Sequence, residues 1–136
     1  MVSQIQRIIK RKQIEKTDVL PSRFVQSFFQ IPHGNDLTPF SIEDQRYFYQ
    51  VYDTPAQKTL LMCGRQVGKS TSVGNLILIN AILRKFFKIM YVAPRQSQTA
   101  DFSKDRIKQP LEWSVGLDKF QLNRGAKDNT FYKEFL

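Results

Sequence analysis

An α/β fold is what this chain predicts, and three features of one short stretch predict it. Residues 59–63 (TLLMC) are an apolar run of the kind a buried strand presents. Residues 64–68 (GRQVG) form a turn bounded by glycines. From Lys69 onward the apolar positions Val73, Leu76, Ile77, Ile79, Ala81, Ile82 and Leu83 suit a largely buried helix. Strand, glycine turn and helix in that order belong to a layered α/β sheet.

The turn ends in Gly68-Lys69-Ser70, which gives it a chemistry. Glycines let the backbone fold tightly enough that successive N–H groups converge on phosphate oxygens, at the positive end of the helix that follows. Lys69 then reaches the β- and γ-phosphates, and Ser70 sets its hydroxyl on Mg²⁺. The bland alternative is an ordinary strand-to-helix turn with a fortuitous lysine. The spacing G-x-x-x-x-G-K-[ST] wants glycine at position 63, where this chain has Cys63, so the turn starts one residue late at Gly64. Its interior holds Arg65 and Gln66. A planar, permanently charged fork inside a phosphate loop can neutralise charge spreading onto the γ-phosphoryl oxygens; a salt bridge to a neighbouring carboxylate is the other reading of Arg65.

The string GRQVGKST resembles the deviant phosphate loop of the large terminase subunits of tailed bacteriophages, ATPases that pump DNA into preformed capsids. The resemblance covers roughly residues 37 to 136. It implies a P-loop NTPase of the RecA/helicase-like type, a three-layer α/β core that is here incomplete, with an N-terminal helical arm. It implies Arg65 as an arginine finger acting in cis and Lys69 as its catalytic partner. The nucleotide contacts implied are Gly64, Arg65, Gln66, Val67, Gly68, Lys69, Ser70 and Thr71, with Ser70 as the metal contact and ATP and Mg²⁺ as the bound species. A glutamine about this far upstream reads the adenine edge in the family, and Gln45, within PFSIEDQRYFYQVYD (39–53), occupies that place. A carboxamide suits the task because it both donates and accepts; a solvated helix residue is the alternative. Phe40 can stack on the ring or belong to the core. Residues 88–98 (KIMYVAPRQSQ) are similar to the second strand and following loop of such motors, where Arg95 and Gln96 touch DNA backbone or sit in a solvated loop.

A working enzyme of this type also needs a strand ending in Asp-Glu, and none is found. The pair Glu43-Asp44 follows Ser41 and reads as a helix start, with Ser41 and Asp44 spaced as a capping box. TFYKEFL (130–136) reads as the beginning of a strand. The expectation is an amino-terminal fragment that binds ATP weakly and hydrolyses it negligibly alone, with strand edges left exposed.

The 136 residues allow one domain, divided here into a basic helical arm and linker (1–36) and the amino-terminal part of the ATPase domain (37–136). Twenty-one Lys+Arg against 12 Asp+Glu give a formal charge of +9, which fits a polyanionic partner such as double-stranded DNA. QIQRIIKRKQIEK (4–16) reads as a short basic helix that touches DNA or a partner, or packs its isoleucines inward. IPHGNDLTPFS (31–41) is rich in turn formers and reads as the linker. His33, alone within it, cannot build a zinc site. Cys63 is the only cysteine, so no internal disulfide forms, in keeping with a reducing cytoplasm, and it reads as a small buried residue. No apolar stretch approaches the ~18 residues that span a bilayer. Ser97 to Trp113 reads as a helix ending near Pro110, and residues 123–129 as a loop.

By resemblance the leading function is the ATP-driven part of a DNA-packaging motor in the host cytoplasm, docked on the procapsid. Its implied partners are double-stranded DNA, the portal protein, the small terminase subunit and further copies in a ring, without a membrane. The alternatives are another helicase-like P-loop DNA motor and a non-hydrolysing nucleotide- or DNA-binding module.

Overall fold

The computed structural model describes residues 20–54, 56–84, 87–114, 117 and 131. The basic segment 4–16, the loop at 123–129 and all of the strand expected at 130–136 except Phe131 lie outside the described residues.

Helix α1 (Pro21–Phe28) begins with proline in its first turn, where the missing N–H costs nothing. Its cap comes from far along the chain: the Asp53 carboxylate accepts from the Ser22 N–H at 2.9 Å and from the Ser22 hydroxyl at 2.6 Å. Phe24, Val25 and Phe29 then face the core.

The segment read as a linker is a β-hairpin. Strand β1 (Gln30–His33) pairs antiparallel with β2 (Asp36–Pro39), with Ile31 opposite Thr38 and His33 opposite Asp36. Gly34, at φ +63°, and Asn35 make the two-residue turn. The division drawn at 36/37 therefore falls inside this hairpin. His33 is exposed.

After the hairpin a 3₁₀ turn (Glu43–Gln45) leads into helix α2 (Phe48–Asp53). The capping box does not form. Ser41 Oγ accepts from the Glu43 N–H at 3.2 Å, two residues on, and Asp44 does not reach back. A 3₁₀ turn is too tight to give the Ser-x-x-acid spacing its helical geometry.

Helix α3 (Lys69–Leu83) is the centre of the fold. Asn75, Leu78, Ile79 and Ile82, at helical spacing, are buried, and Val73, Leu76, Ile77 and Leu83 pack at their margins. Phe48, Tyr52, Ile42 and the aromatics of α1 close one side of this core.

The other side is one continuous helical rod: α4 (Gln96–Phe102), a π turn (Ser103–Lys108) and α5 (Gln109–Trp113). The helix does not end near Pro110, as the sequence suggested, but passes through it to Trp113. Proline has no N–H to give the carbonyl four residues back, which is that of Arg106. The π turn accommodates this by shifting the bonding register, with the Gln109 N–H on the Lys104 carbonyl. The Arg106 carbonyl is thereby spared its α-helical bond and lies against α3 at Gly74. A Cβ built on Gly74 would stand 2.7 Å from that oxygen and 2.9 Å from the Arg106 Cβ.

Residues 59–63 form no strand. Leu60 is 82 % and Met62 86 % exposed, and Cys63 is half-buried. Residues 88–92 form none either; Met90 is 84 % exposed, and Tyr91 stacks on Phe102 with ring centroids 3.9 Å apart. The apolar pattern asks for burial, but a strand exists only through a neighbour's hydrogen bonds. Among the described residues the hairpin is the only ladder.

Candidate nucleotide site

The loop before α3 has an unusual backbone. Gln66 has φ +59° and Gly68 φ +73°, whereas Arg65, Val67 and Lys69 keep negative φ. Alternation of this kind turns consecutive N–H groups toward one side and makes a concavity for an anion. For glycine the left-handed region is free; for Gln66 it is strained, and strain of this sort gathers at functional sites. Gly64 does not take a positive φ and has open space around it, so the late start of the glycine pattern leaves no steric mark on the loop.

Lys69 and Ser70 are the first two residues of α3 and both are exposed, as is Arg65. Among the described residues no carboxylate pairs with Arg65 or Lys69, so the salt-bridge reading of Arg65 finds no partner there. Two free cations and a helix N-terminus leave the concavity electropositive. Thr71 is half-buried, and the Val67 carbonyl accepts from the Tyr47 hydroxyl at 3.1 Å.

Gln45, 23 residues before Gly68 in sequence, lies directly on the loop. A Cβ placed on Gly68 would stand 2.5 Å from Gln45 Oε1 and 3.2 Å from its Nε2. Only a glycine lets the carboxamide settle there. The turn carrying Gln45 is itself held: the Ile42 N–H donates to Gln26 Oε1 at 3.3 Å, and the Tyr49 hydroxyl donates to Glu43 Oε1 at 2.8 Å. Arg46 adds an exposed ion pair with Glu43 at 3.1 Å.

Beside this contact opens a cavity of about 630 Å³. Its lining joins Phe40, Gln45, Gly68 and Thr71 with strand β1 of the hairpin and with Asp105, Arg106, Gln109 and Trp113 of the helical rod. That size is ordinary for a small-molecule site. The chain matches no family model, no curated protein and no solved structure in comparisons with each. The residues in hand are thus the whole of the argument for a ligand.

Ser70 offers a single hydroxyl, and among the described residues no cluster of three metal-ligating side chains exists. A magnesium ion fits this donor set only if it arrives on a triphosphate, whose oxygens supply further ligands. The sequence pointed to Gln45, Gly68 and Thr71, which the fold brings together, but not to Tyr47 or to the wall at 105–113. Nothing in the local pattern of that helix announces a ligand; its contribution arises from packing against Gly74 and against the hairpin, where the Gln30 N–H donates to Ser114 Oγ at 3.0 Å.

Proposed function

We propose that this chain binds ATP in the loop Gly64–Thr71, with Gln45 reading the base, and that it is the ATP-binding part of a DNA-packaging motor of the large-terminase kind. The three-layer α/β core, double-stranded DNA, the portal and small-subunit partners, the ring of copies and the cytoplasmic setting belong to this proposal. One observation carries it: alternating backbone at Arg65 to Lys69 and the Gln45 carboxamide, distant in sequence, meet at Gly68. The phosphate end and the base end of a nucleotide are thereby given adjacent receptors. Lys69 supplies a mobile ammonium for the outer phosphates, Arg65 a planar fork above them, and Ser70 one oxygen for the metal. Among the described residues no helix is long and apolar enough to cross a membrane.

The test is base discrimination. Titrated with Mg²⁺-ATP and Mg²⁺-GTP, the wild-type chain favours ATP, and Gln45→Ala binds the two alike. Equal affinities in the wild type, or a preference untouched in Gln45→Ala, would remove Gln45 from the site. In a hydrolysing assembly, Arg65→Ala lowers turnover far more than ATP affinity; equal losses would make Arg65 a ground-state contact.

A further inference from the structure

The cavity beside Gln45 has a second wall, contributed by the π turn, for which a phosphate loop alone gives no use. Asp105 is half-buried on that wall, and its carboxylate has no hydrogen bond or ion pair among the described residues. The Arg106 carbonyl, seated at Gly74, fixes the turn against α3. Gly74 is six residues beyond Gly68, or roughly 9 Å along the helix axis at the usual rise. Asp105 is therefore held at a distance from the loop set by packing, and it lines the same cavity as Gln45.

The lining suggests what fills the space. Phe40, Pro110 and Trp113 offer flat apolar surface, while Gln45, Asp105 and Gln109 end in polar groups without side-chain partners among the described residues. Flat surface with a few convergent polar ends suits a ring joined to a polar, hydrogen-bonding body. A carboxylate only accepts, so what completes Asp105 must donate, and two adjacent hydroxyls match its two oxygens. Asp44 also borders the cavity, but it is exposed and shares the turn of Gln45, hence the base side. Arg106 borders it too, with its side chain exposed.

Resting on the nucleotide reading above, we infer that the cavity is a nucleoside pocket read from two walls, with Asp105 accepting hydrogen bonds from the ribose hydroxyls. The chain would then distinguish ribonucleotides from sugars lacking the diol.

Mg²⁺-ATP and Mg²⁺-2′,3′-dideoxy-ATP are titrated into the wild-type chain, Asp105→Asn and Asp44→Asn. The wild type should bind ATP about a hundredfold more tightly than the dideoxy analogue, the loss expected for two charge-assisted hydrogen bonds. Asp105→Asn should bring the two affinities nearly together, and Asp44→Asn should leave the preference intact. Equal binding by the wild type, a full preference in Asp105→Asn, or a preference abolished in Asp44→Asn each overturns the assignment while leaving the loop reading standing. If the wild type binds neither nucleotide, both fall. Should Asp105→Asn not fold, the wild-type comparison still decides.

Discussion

Replacing Gly68 by alanine separates what this loop does for the fold from what it does for a ligand. At φ +73° an L-residue sits in the left-handed region, which costs about 1–2 kcal/mol. The added Cβ would also stand 2.5 Å from Gln45 Oε1. That oxygen is the end of a flexible side chain, so it swings aside at little further cost, but the carboxamide then leaves its place. For a chain of this size the strain corresponds to a fall in Tm of roughly 6 °C. Gly34 supplies the control, because it has φ +63° and nothing within 4 Å of a built Cβ. Gly34→Ala therefore also forces an L-residue to positive φ, in a hairpin turn, without touching Gln45. Thermal melting followed by circular dichroism, with ATP titration of each variant, reads both quantities. A loss of Tm is expected in both variants, with ATP affinity reduced only in Gly68→Ala. An undiminished Tm in Gly68→Ala would refute the left-handed geometry; a normal ATP affinity in it would refute the coupling of Gln45 to the loop.

Gly74→Ala meets backbone instead of a flexible side chain, so α3 and the π turn must part, and a loss of about 1–3 kcal/mol is expected by urea denaturation; a neutral result would mean the rod slides freely on α3. Tyr52, buried beside Ser72 and Asn75, has its phenol pushed above the usual 10 by desolvation, against hydrogen bonds from those two side chains. The folded state thus favours the neutral phenol. Its contribution is fully present below the unfolded value of about 10 and is lost as pH rises through the higher folded value. Stability should fall more steeply above pH 10 in the wild type than in Tyr52→Phe; parallel curves would deny the burial. Asp53→Ala removes the side chain that, among the described residues, caps α1 by accepting two hydrogen bonds from Ser22, and should lower stability by about 1–2 kcal/mol in the same assay.

The helix after the loop was legible because it is apolar almost throughout from Val73 to Leu83; of the positions that signalled it, Ile79 and Ile82 are buried and Val73, Leu76, Ile77 and Leu83 pack at the margins, while the buried Asn75 and Leu78 gave no separate signal. Gly68 stood out in the Gly-Lys-Ser pattern and Gln45 only through the family resemblance; the fold brings the two into contact. The hairpin was overlooked because Pro32, Gly34, Asn35 and Pro39 weigh as loop formers. Gly34-Asn35 is nonetheless a two-residue hairpin turn, and the prolines are tolerable on a two-stranded edge. The strand at 59–63 was overstated because apolar content signals burial without supplying a neighbour. Pro110 was read as a stop because a π turn has no sequence signature. The part of the cavity lined by Asp105 and Gln109 was illegible for a related reason: they join Gln45 through tertiary packing, of Gly74 with Arg106 and of the rod's end with the hairpin, where the Gln30 N–H donates to Ser114 Oγ.

Whether the amides of Gly64 to Ser70 close around a triphosphate is decided by calorimetric titration of Mg²⁺-ATP into the wild-type chain and Lys69→Ala. Saturable one-to-one binding that disappears in the variant is the predicted result. Absence of binding in the wild type, or the same affinity with and without the ammonium, would contradict it.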